Sequence, residues 1–395
     1  MTCIFVAHPG LQHSHQLALA LHEHGLLQAF WSGVPVISEG EKLPFWLPEA
    51  YARKVKTVAI PSKYRRHPMR FQMLLHAGGA LPPTFSREDY QHRIFHFFDW
   101  WVSKQVAHLK PKVVVAYENS AYHTFRAAKA IGARCILDAP SLHHITSAEL
   151  MKFEQTPYLS EINRRKDEEV DLADLVLTCS PMAAESYVEN GVSANKVQAM
   201  LLGADLPQRM RAWQHHNEPL NFIYAGSLLY RKSIDIILQV FKRLHDKGLE
   251  YRLSFVGGEG EAGWVEQIAG TPCATYLGGM AQADMYQQLS LADCLLLPSR
   301  YDSFGMVVAE AMACGTPAIV STQTGAKAMI EQFSQSGWIV EAENGEALYD
   351  CVKLRIQNRE ALFKARQAAL KASQNFTWQA YRYRVGALIQ QFVAQ

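Results

Sequence analysis

The hydrophobic positions of this chain form short continuous runs that alternate with amphipathic stretches. Such runs are typical of strands buried on both faces, and the stretches between them have helical spacing, as at 16–24, 121–131 and 233–247. The runs predict strands at 3–7, 112–117, 134–138, 175–178, 221–224, 252–256, 275–277, 294–297 and 318–320. Beyond the last strand, helices are expected to the end of the chain. The alternation predicts an α/β fold with two Rossmann-like parallel-sheet domains facing a central cleft.

The boundary between the two domains is predicted at 207–220, a polar segment with a proline near each end. This segment separates a first domain at 1–206 from a second at 221–375, and a final helix at 376–395 is expected to cross back to the first domain. The length of 395 residues agrees with two domains of roughly 100–200 residues each. Because such sheets bind ligands beyond the carboxyl ends of their strands, the site is expected in the cleft between the domains.

The overall composition narrows the class of protein. Hydrophobic residues make up 49% of the chain and charged residues 19%, which excludes a disordered protein. No run of apolar residues is long enough to predict a membrane-spanning helix, and the N-terminus lacks the basic start of a signal peptide. The seven cysteines are scattered without a Cys-x-x-Cys pair, so we expect a reducing, cytoplasmic compartment.

Positive charge is concentrated at 50–87, which holds eight Lys or Arg residues and no acid, although the whole chain carries only +2. Between 53 and 70 these cations are interleaved with apolar residues, which suits peripheral contact with an anionic membrane; an ordinary solvated face explains the pattern equally well. The aromatic residues at 95–101 predict a packed helix, with a membrane or acceptor contact as the second interpretation. No nucleic-acid partner is predicted.

The segment 298–317 carries the clearest candidate chemistry. A strand ends at Leu297, a Ser/Gly turn follows, and a helix runs to Gly315 with Pro317 just beyond. The free N–H groups and positive dipole end of such a helix start suit a diphosphate. Glu310 is the one acid of this small apolar helix. If it is buried, it needs donors such as ribose hydroxyls; at the solvent edge it needs none.

This segment resembles the signature of glycosyltransferase family 4, the retaining sugar transferases of the GT-B fold. The resemblance implies that Glu310 holds the nucleotide ribose and that the backbone N–H groups of Phe304, Gly305 and Met306 reach the donor. Asp302 stands where the family usually has Glu, and it would contact the donor sugar with a side chain one methylene shorter.

The first strand of the second domain leads into a turn with paired cations and then into a helix. This run resembles the family's Gly-Arg…Lys-Gly element, which clamps the donor diphosphate. Gly226 and Lys232 match that element, whereas Ser227 replaces the Arg and Ser233 replaces the Gly. The resemblance implies that Lys232, with Arg231 as the substitute cation, stabilises charge on the leaving phosphate. Solvated cations beside a helix start are the alternative, although a helix N-terminus disfavours them.

A glycine-rich loop follows the next strand. Gly258, Gly260 and Gly263 satisfy the dinucleotide pattern G-x-G-x-x-G, but the strand that follows ends without the acid that a dinucleotide site requires. An NAD site is therefore not predicted. The loop is interpreted either as the family's glycine-rich loop near the donor or as a tight surface turn.

The first domain supplies fewer candidates. Gly10 lies in the first strand-to-helix turn, where the family has a glycine-rich loop close to the donor phosphate. His143 follows another strand, near the place of a family histidine that contacts the sugar; a structural histidine is the alternative. Glu118 and Asn119 end the strand before it and are predicted to face the acceptor.

The resemblance as a whole implies a metal-independent glycosyltransferase of polysaccharide biosynthesis. It would move a sugar from a nucleotide diphosphate-sugar to a hydroxyl of a glycan or lipid-linked glycan, with retention of configuration and without a cofactor. The predicted catalytic residues are Lys232, Arg231, Asp302 and His143. No metal-ligand set is recognisable among the 16 histidines. A sugar-nucleotide epimerase or phosphorylase, or a protein that binds nucleotide-sugars or glycans without turnover, are the alternatives.

Overall fold

The fold is taken from a computed structural model, which describes residues 3–38, 40–42, 55–67, 87–151, 156–206 and 218–395. Most of the predicted linker, 207–217, lies outside these residues.

The first sheet contains seven strands within the described residues, and all neighbouring strands run parallel in the order β5-β2-β1-β6-β7-β8-β9. A separate parallel pair, β3 and β4, lies beside it. The bounds are β1 Ile4–His8, β2 Leu27–Ser32, β3 Val36–Ile37, β4 Lys56–Thr57, β5 Arg65–Arg66, β6 Val113–Tyr117, β7 Arg134–Ala139, β8 Leu175–Thr178 and β9 Val197–Ala199.

The second sheet contains six parallel strands within the described residues, in the order β12-β11-β10-β13-β14-β15. Their bounds are β10 Leu220–Ala225, β11 Tyr251–Val256, β12 Ala274–Gly278, β13 Cys294–Leu297, β14 Ala318–Ser321 and β15 Gly337–Val340. These two sheets confirm the predicted fold class of two Rossmann-like, parallel-sheet domains.

Helices connect the strands and cover the sheets. Their bounds are α1 Ser14–Glu23, α2 Arg87–Leu109, α3 Tyr122–Ala130, α4 His144–Met151, α5 Pro157–Leu172, α6 Pro181–Glu189, α7 Ile234–Asp246, α8 Trp264–Ala269, α9 Gln282–Leu291, α10 Met306–Ala313, α11 Lys327–Gln332, α12 Gly345–Gln357, α13 Arg359–Ser373 and α14 Trp378–Ala394. No helix in the described part of the chain is long and apolar enough to cross a membrane.

Burial of the strands on both faces explains why their sequences are continuously apolar. Every residue of β1 and of β13 is buried. The expectation of helices alone after 320 is wrong, because β15 adds an edge strand to β14. This strand has only four residues, of which the first and the last are buried and the two central ones partly exposed, and the apolar-run criterion did not detect it.

The chain just before the predicted linker contacts the chain just after the second domain. Ala204 pairs with Thr377 in an isolated parallel bridge, and the Ala204 N–H donates to the carbonyl of Phe376 at 2.8 Å. Helix α14 then packs on α1 of the first domain, where Arg382 forms an ion pair with Glu23 at 2.9 Å. The final helix is thus attached to the domain in which the chain begins.

Candidate functional site

A cavity of about 850 Å³ lies where the carboxyl ends of the two sheets meet. In each sheet the strand order reverses beside the first strand of the domain, between β1 and β6 and between β10 and β13. Loops that follow adjacent strands diverge at such a point and leave room for a ligand. The cavity is lined from both domains, by Gln12, His13, Tyr117, Glu118, Ser141, Ala225, Gly226, Arg231, Lys232, Tyr301, Asp302, Phe304, Gly305, Met306 and Glu310 among others.

Helix α10 points its N-terminus into this cavity. The residue before the helix, Gly305, has φ +91°, a backbone conformation that glycine adopts without strain. No side chain of the described residues caps this helix end. Phe304, Gly305 and Met306 all line the cavity, and the Phe304 N–H donates to Asp302 Oδ1 at 3.4 Å. The first N–H groups of a helix have no partner within the helix, so this helix start suits an anion.

Glu310 lies one turn further along α10 and also lines the cavity. Its side chain is accessible only through the cavity, because the residue is 9% exposed and its neighbours in α10 are buried. Burial raises the pKa of Glu310; the carboxylate of Asp205 adds to this effect, and a hydrogen bond from Gln282 Nε2 at 3.3 Å opposes it. Further hydrogen-bond donors from a ligand would offset the desolvation of this carboxylate.

The two predicted cations line the same cavity from the loop after β10. Lys232 is 9% exposed and forms an ion pair with Asp302 across the cavity edge. Burial lowers the pKa of Lys232, Arg231 lowers it further, and Asp302 opposes both effects. Arg231 donates from Nη1 to the carbonyl of Tyr301 at 3.3 Å. The structure therefore brings Lys232, Arg231 and Asp302 together beside the start of α10.

The loop that carries these cations is shaped by close backbone packing. A Cβ atom at Gly257 would lie 1.9 Å from the carbonyl oxygen of Gly226, so only glycine fits there. The N–H of Leu228 donates to the carbonyl of Gly258 at 2.9 Å, and the N–H of Gly260 donates to the carbonyl of Leu228 at 3.2 Å. The glycine-rich loop thus supports the loop with Lys232, which gives its glycines a packing role.

The first domain contributes a polar wall to the cavity. Glu118 accepts a hydrogen bond from the hydroxyl of Ser141 and lies 3.7 Å from the amine of Lys166. His13, which lines the cavity, donates from Nε2 to the carboxylate of Asp138 at 2.9 Å. Sequence patterns could not pair His13 with Asp138, since 125 residues separate them.

Four predicted residues are not among those that line the cavity. The Asn119 side chain turns to His92 and to His96, whose Nε2 lies 3.0 Å from Asn119 Oδ1. Gly10 donates its N–H to His8 Nδ1 at 2.9 Å, and Ser227 is an exposed turn residue. His143 belongs to a separate cavity of about 360 Å³ that Asp167 also lines.

Of the basic stretch, the structure describes residues 55–67; Arg53, Lys54 and Arg70 lie outside the described residues. The Arg65 side chain is buried against Glu41 and the carbonyl of Val36, so it stabilises the fold. The interleaved apolar residues Val58 and Ile60 are buried in the protein.

The aromatic cluster on α2 is divided between core and surface. Phe98 is buried, and the ring of Trp101 contacts Trp31 at 4.8 Å between centroids. Phe97 and Trp100 are exposed and stack on each other at 5.8 Å. Packing in the core therefore explains the aromatic residues Phe98 and Trp101, but it does not explain Phe97 and Trp100 on the exposed face of the helix.

The comparisons with known proteins agree with this geometry. Residues 207–375, which include the cation loop and α10, match the model of the family described as glycosyl transferases group 1. The chain is 24% identical over 234 residues to the D-inositol 3-phosphate glycosyltransferase of Corynebacterium jeikeium; the matched region covers 53% of this chain and 56% of that relative. It is 27% identical over 217 residues to the GDP-mannose-dependent alpha-(1-6)-phosphatidylinositol dimannoside mannosyltransferase of Mycobacterium tuberculosis; here the matched region covers 52% of this chain and 55% of that relative. The chain thus spans about half the length of the curated relatives it matches.

Solved structures extend the likeness to the whole chain at the level of the fold. Sucrose-phosphate synthase from Thermosynechococcus elongatus superposes with a TM-score of 0.72 at 18% identity and covers 100% of both chains. The Anabaena protein Alr3699/HepE, solved in complex with UDP, superposes with a TM-score of 0.67 at 16% identity, over 99% of this chain and 100% of that one. These likenesses establish the GT-B fold.

Proposed function

We propose that this chain is a glycosyltransferase that moves a sugar from a nucleotide diphosphate-sugar to a hydroxyl of a glycan or lipid-linked glycan. The observation that carries the proposal is the convergence of three features in one interdomain cavity: the open N-terminus of α10, the buried carboxylate of Glu310 and the buried cation of Lys232. A diphosphate flanked by ribose and sugar complements all three features. Its phosphates offer negative charge to the helix N-terminus and to Lys232, and its sugar hydroxyls offer hydrogen-bond donors to Glu310.

The donor would bind mainly to the second domain. The α10 N-terminus and Lys232 would hold the diphosphate, and Glu310 would accept hydrogen bonds from the ribose. The nucleotide base is left to experiment: HepE was solved with UDP and with UDP-glucose, whereas the Mycobacterium tuberculosis relative is GDP-mannose-dependent.

The chemistry proposed for Lys232 is neutralisation of the leaving phosphate. Lys232 is paired with Asp302, so a bound diphosphate would either replace Asp302 as the partner of the Lys232 amine or share that amine with Asp302. Asp302 would then be available to accept a hydrogen bond from a hydroxyl of the donor sugar. A cation inside a largely buried site stabilises developing charge more strongly than it would in water.

The acceptor would approach from the wall of the first domain. Glu118 and His13 offer polar groups there, and the Asp138 carboxylate holds the His13 ring in place through Nε2. We propose front-face attack with the departing phosphate as base, which retains the anomeric configuration and requires no metal. His143 and Asn119 do not line this cavity, so their predicted roles would require their side chains to reorient on binding.

A cytoplasmic location is proposed from the cysteines, since all seven are free thiols and four of them are buried. Peripheral contact with an anionic membrane stays a prediction. Within the described residues it rests on the exposed cations Lys56, Lys63 and Arg66.

The proposal is tested first by donor binding. UDP, GDP, ADP and their sugars are screened by thermal shift, because a ligand at about 100 times its Kd stabilises by about 2.7 kcal/mol. Glu310→Ala should abolish the shift produced by the best ligand, and Glu331→Ala, an exposed acid on α11, is the matched control. Equal shifts in both variants would contradict the role of Glu310.

Turnover then separates the candidate activities. Incubation with the selected donor, a hydroxyl acceptor and EDTA should give a glycoside whose anomeric configuration, read by NMR coupling constants, equals that of the donor. Conversion of donor without acceptor into an epimer would indicate an epimerase instead. Tight donor binding with no product from any acceptor and no donor hydrolysis would indicate a binding protein.

A further inference from the structure

A second polar cluster lies on the first domain, outside the cavity that we assign to the donor. It consists of His143 and His144 at the start of α4 and Asp167 on α5. One ligand-type atom from each residue lies within 4.8 Å of the others. The Nε2 atoms of His144 and His143 lie 2.6 Å and 3.8 Å from the same carboxylate oxygen, Asp167 Oδ1.

These distances approach those of a metal centre. With metal–ligand bonds of about 2.0–2.1 Å, the donor atoms of a tetrahedral site lie roughly 3.3 Å apart. The two observed separations from Asp167 fall on either side of this value, so small side-chain rotations would bring the three atoms to one ion. The Asp167 side chain is 52% exposed and has the freedom to make this adjustment.

The surroundings leave space for the remaining ligands of an ion. His143 and Asp167 line the cavity of about 360 Å³, and His144 lines a neighbouring one of about 470 Å³. Water from either side could complete the coordination, as in sites with three protein ligands.

The charges near the cluster are compatible with a cation. Lys166, next to Asp167, directs its amine towards Glu118 at 3.7 Å. Lys196, which lines the smaller cavity, directs its amine to the backbone carbonyl of Val170. Asp171 lines the same cavity and adds negative charge.

From these observations we propose that His143, His144 and Asp167 form a binding site for a borderline divalent cation, with Zn²⁺ as the best match. Two imidazoles and one carboxylate are ligands that zinc prefers, and they exclude the all-oxygen environment of Mg²⁺ and Ca²⁺. The bound ion would connect the start of α4 to α5. Ser147, on α4, lies 3.5 Å from the hydroxyl of Tyr301 in the second domain, so the ion would also stiffen a contact between the domains.

The test uses the tag-free full-length chain after treatment with a chelator and needs no sugar donor, so its result is independent of the proposed glycosyltransferase activity. Zn²⁺ titration by calorimetry should show one saturable site, and Co²⁺ should give the visible absorption bands of a tetrahedral centre. His144→Ala and Asp167→Asn should each weaken the affinity for Zn²⁺ at least tenfold.

Matched controls are Glu161→Gln, an exposed acid in the first half of α5, and His108→Ala, an exposed histidine on α2; both should bind Zn²⁺ like the unmodified chain. Asp167→Asn keeps the proposal testable if a histidine variant fails to fold, because Asp167 is half exposed. Absence of saturable Zn²⁺ binding would overturn the proposal, as would equal affinity in the Asp167→Asn and Glu161→Gln variants.

Discussion

Replacing Ser233 with glycine should stabilise this protein, although the residue lies next to Lys232, a cation of the candidate site. Ser233 joins the turn with Lys232 to helix α7, and its backbone has φ +59° and ψ +38°. A residue with a Cβ atom in this left-handed conformation costs about 1–2 kcal/mol relative to glycine. The residue is fully buried, and its hydroxyl has no hydrogen-bond partner among the described residues, which costs about 1–3 kcal/mol more.

The gain from glycine is reduced by the greater freedom that it gives to the unfolded chain, about 0.4–1 kcal/mol. The net effect of Ser233→Gly should therefore be an increase of at least about 1 kcal/mol in the free energy of unfolding. Ser233→Ala separates the two causes, because alanine removes the buried hydroxyl and keeps the strained backbone. Urea denaturation, followed by tryptophan fluorescence, measures both variants.

The expected order of stability is Ser233→Gly above Ser233→Ala above the unmodified chain. If the Ser233→Gly variant is no more stable than the Ser233→Ala variant, backbone strain at this position is refuted. If the Ser233→Ala variant is no more stable than the unmodified chain, the Ser233 hydroxyl has a hydrogen-bond partner in solution. Donor affinity should be unchanged in both variants, since the Ser233 side chain does not line the cavity.

Three further predictions concern the support and the surroundings of the site. Gly257→Ala should cost more than about 2 kcal/mol in urea denaturation, because its Cβ atom would overlap the Gly226 carbonyl, whereas Gly258→Ala, with open space at its Cβ, should have a small effect. Burial lowers the pKa of His8 to about 3, so between pH 6.5 and 3 the unfolded chain binds a proton that the folded chain excludes. Stability should therefore fall as the pH is lowered through this window, by about 1.4 kcal/mol per unit, and His8→Gln should lose that part of the slope; a slope identical in the variant would contradict the assignment. Neutralising Lys63 and Arg66 together, by Lys63→Gln and Arg66→Gln, should weaken binding to anionic vesicles at low salt by roughly 30-fold, from about 1 kcal/mol per cation, and unchanged co-sedimentation would end the membrane hypothesis.

The sequence predicts the fold well because continuous apolar runs and helical spacing are local patterns. It also predicts that Lys232, Asp302 and Glu310 lie near one another, since they belong to segments whose order of strand, turn and helix is visible in the chain, and all three line the cavity. The cost of a serine at 233, where the similar family has glycine, becomes visible only with the structure, which shows the left-handed backbone that favours glycine there.

The first domain's contribution could not be predicted in the same way, because it depends on pairs of distant residues. His13 meets Asp138 across 125 positions, and Asp167 meets His144 across 23. Asn119 follows a strand towards the cleft, yet its positive φ of 61° turns the side chain to the histidines of α2. Side-chain direction at such a position depends on tertiary packing, which no local pattern encodes.

The bonds that join Ala204 to the chain at 376–378 have a mechanical consequence. Ala204 is bonded to Phe376 and to Trp378, so two described segments that are far apart in sequence are held together at one point. Leu202 and Trp378, beside this point, also line the cavity. A rotation of one domain about this point would move the far rims of the cleft by the largest amount and the part of the cavity beside Leu202 and Trp378 by the least. The mouth of the cavity would then widen and narrow while the part beside these two residues keeps its shape.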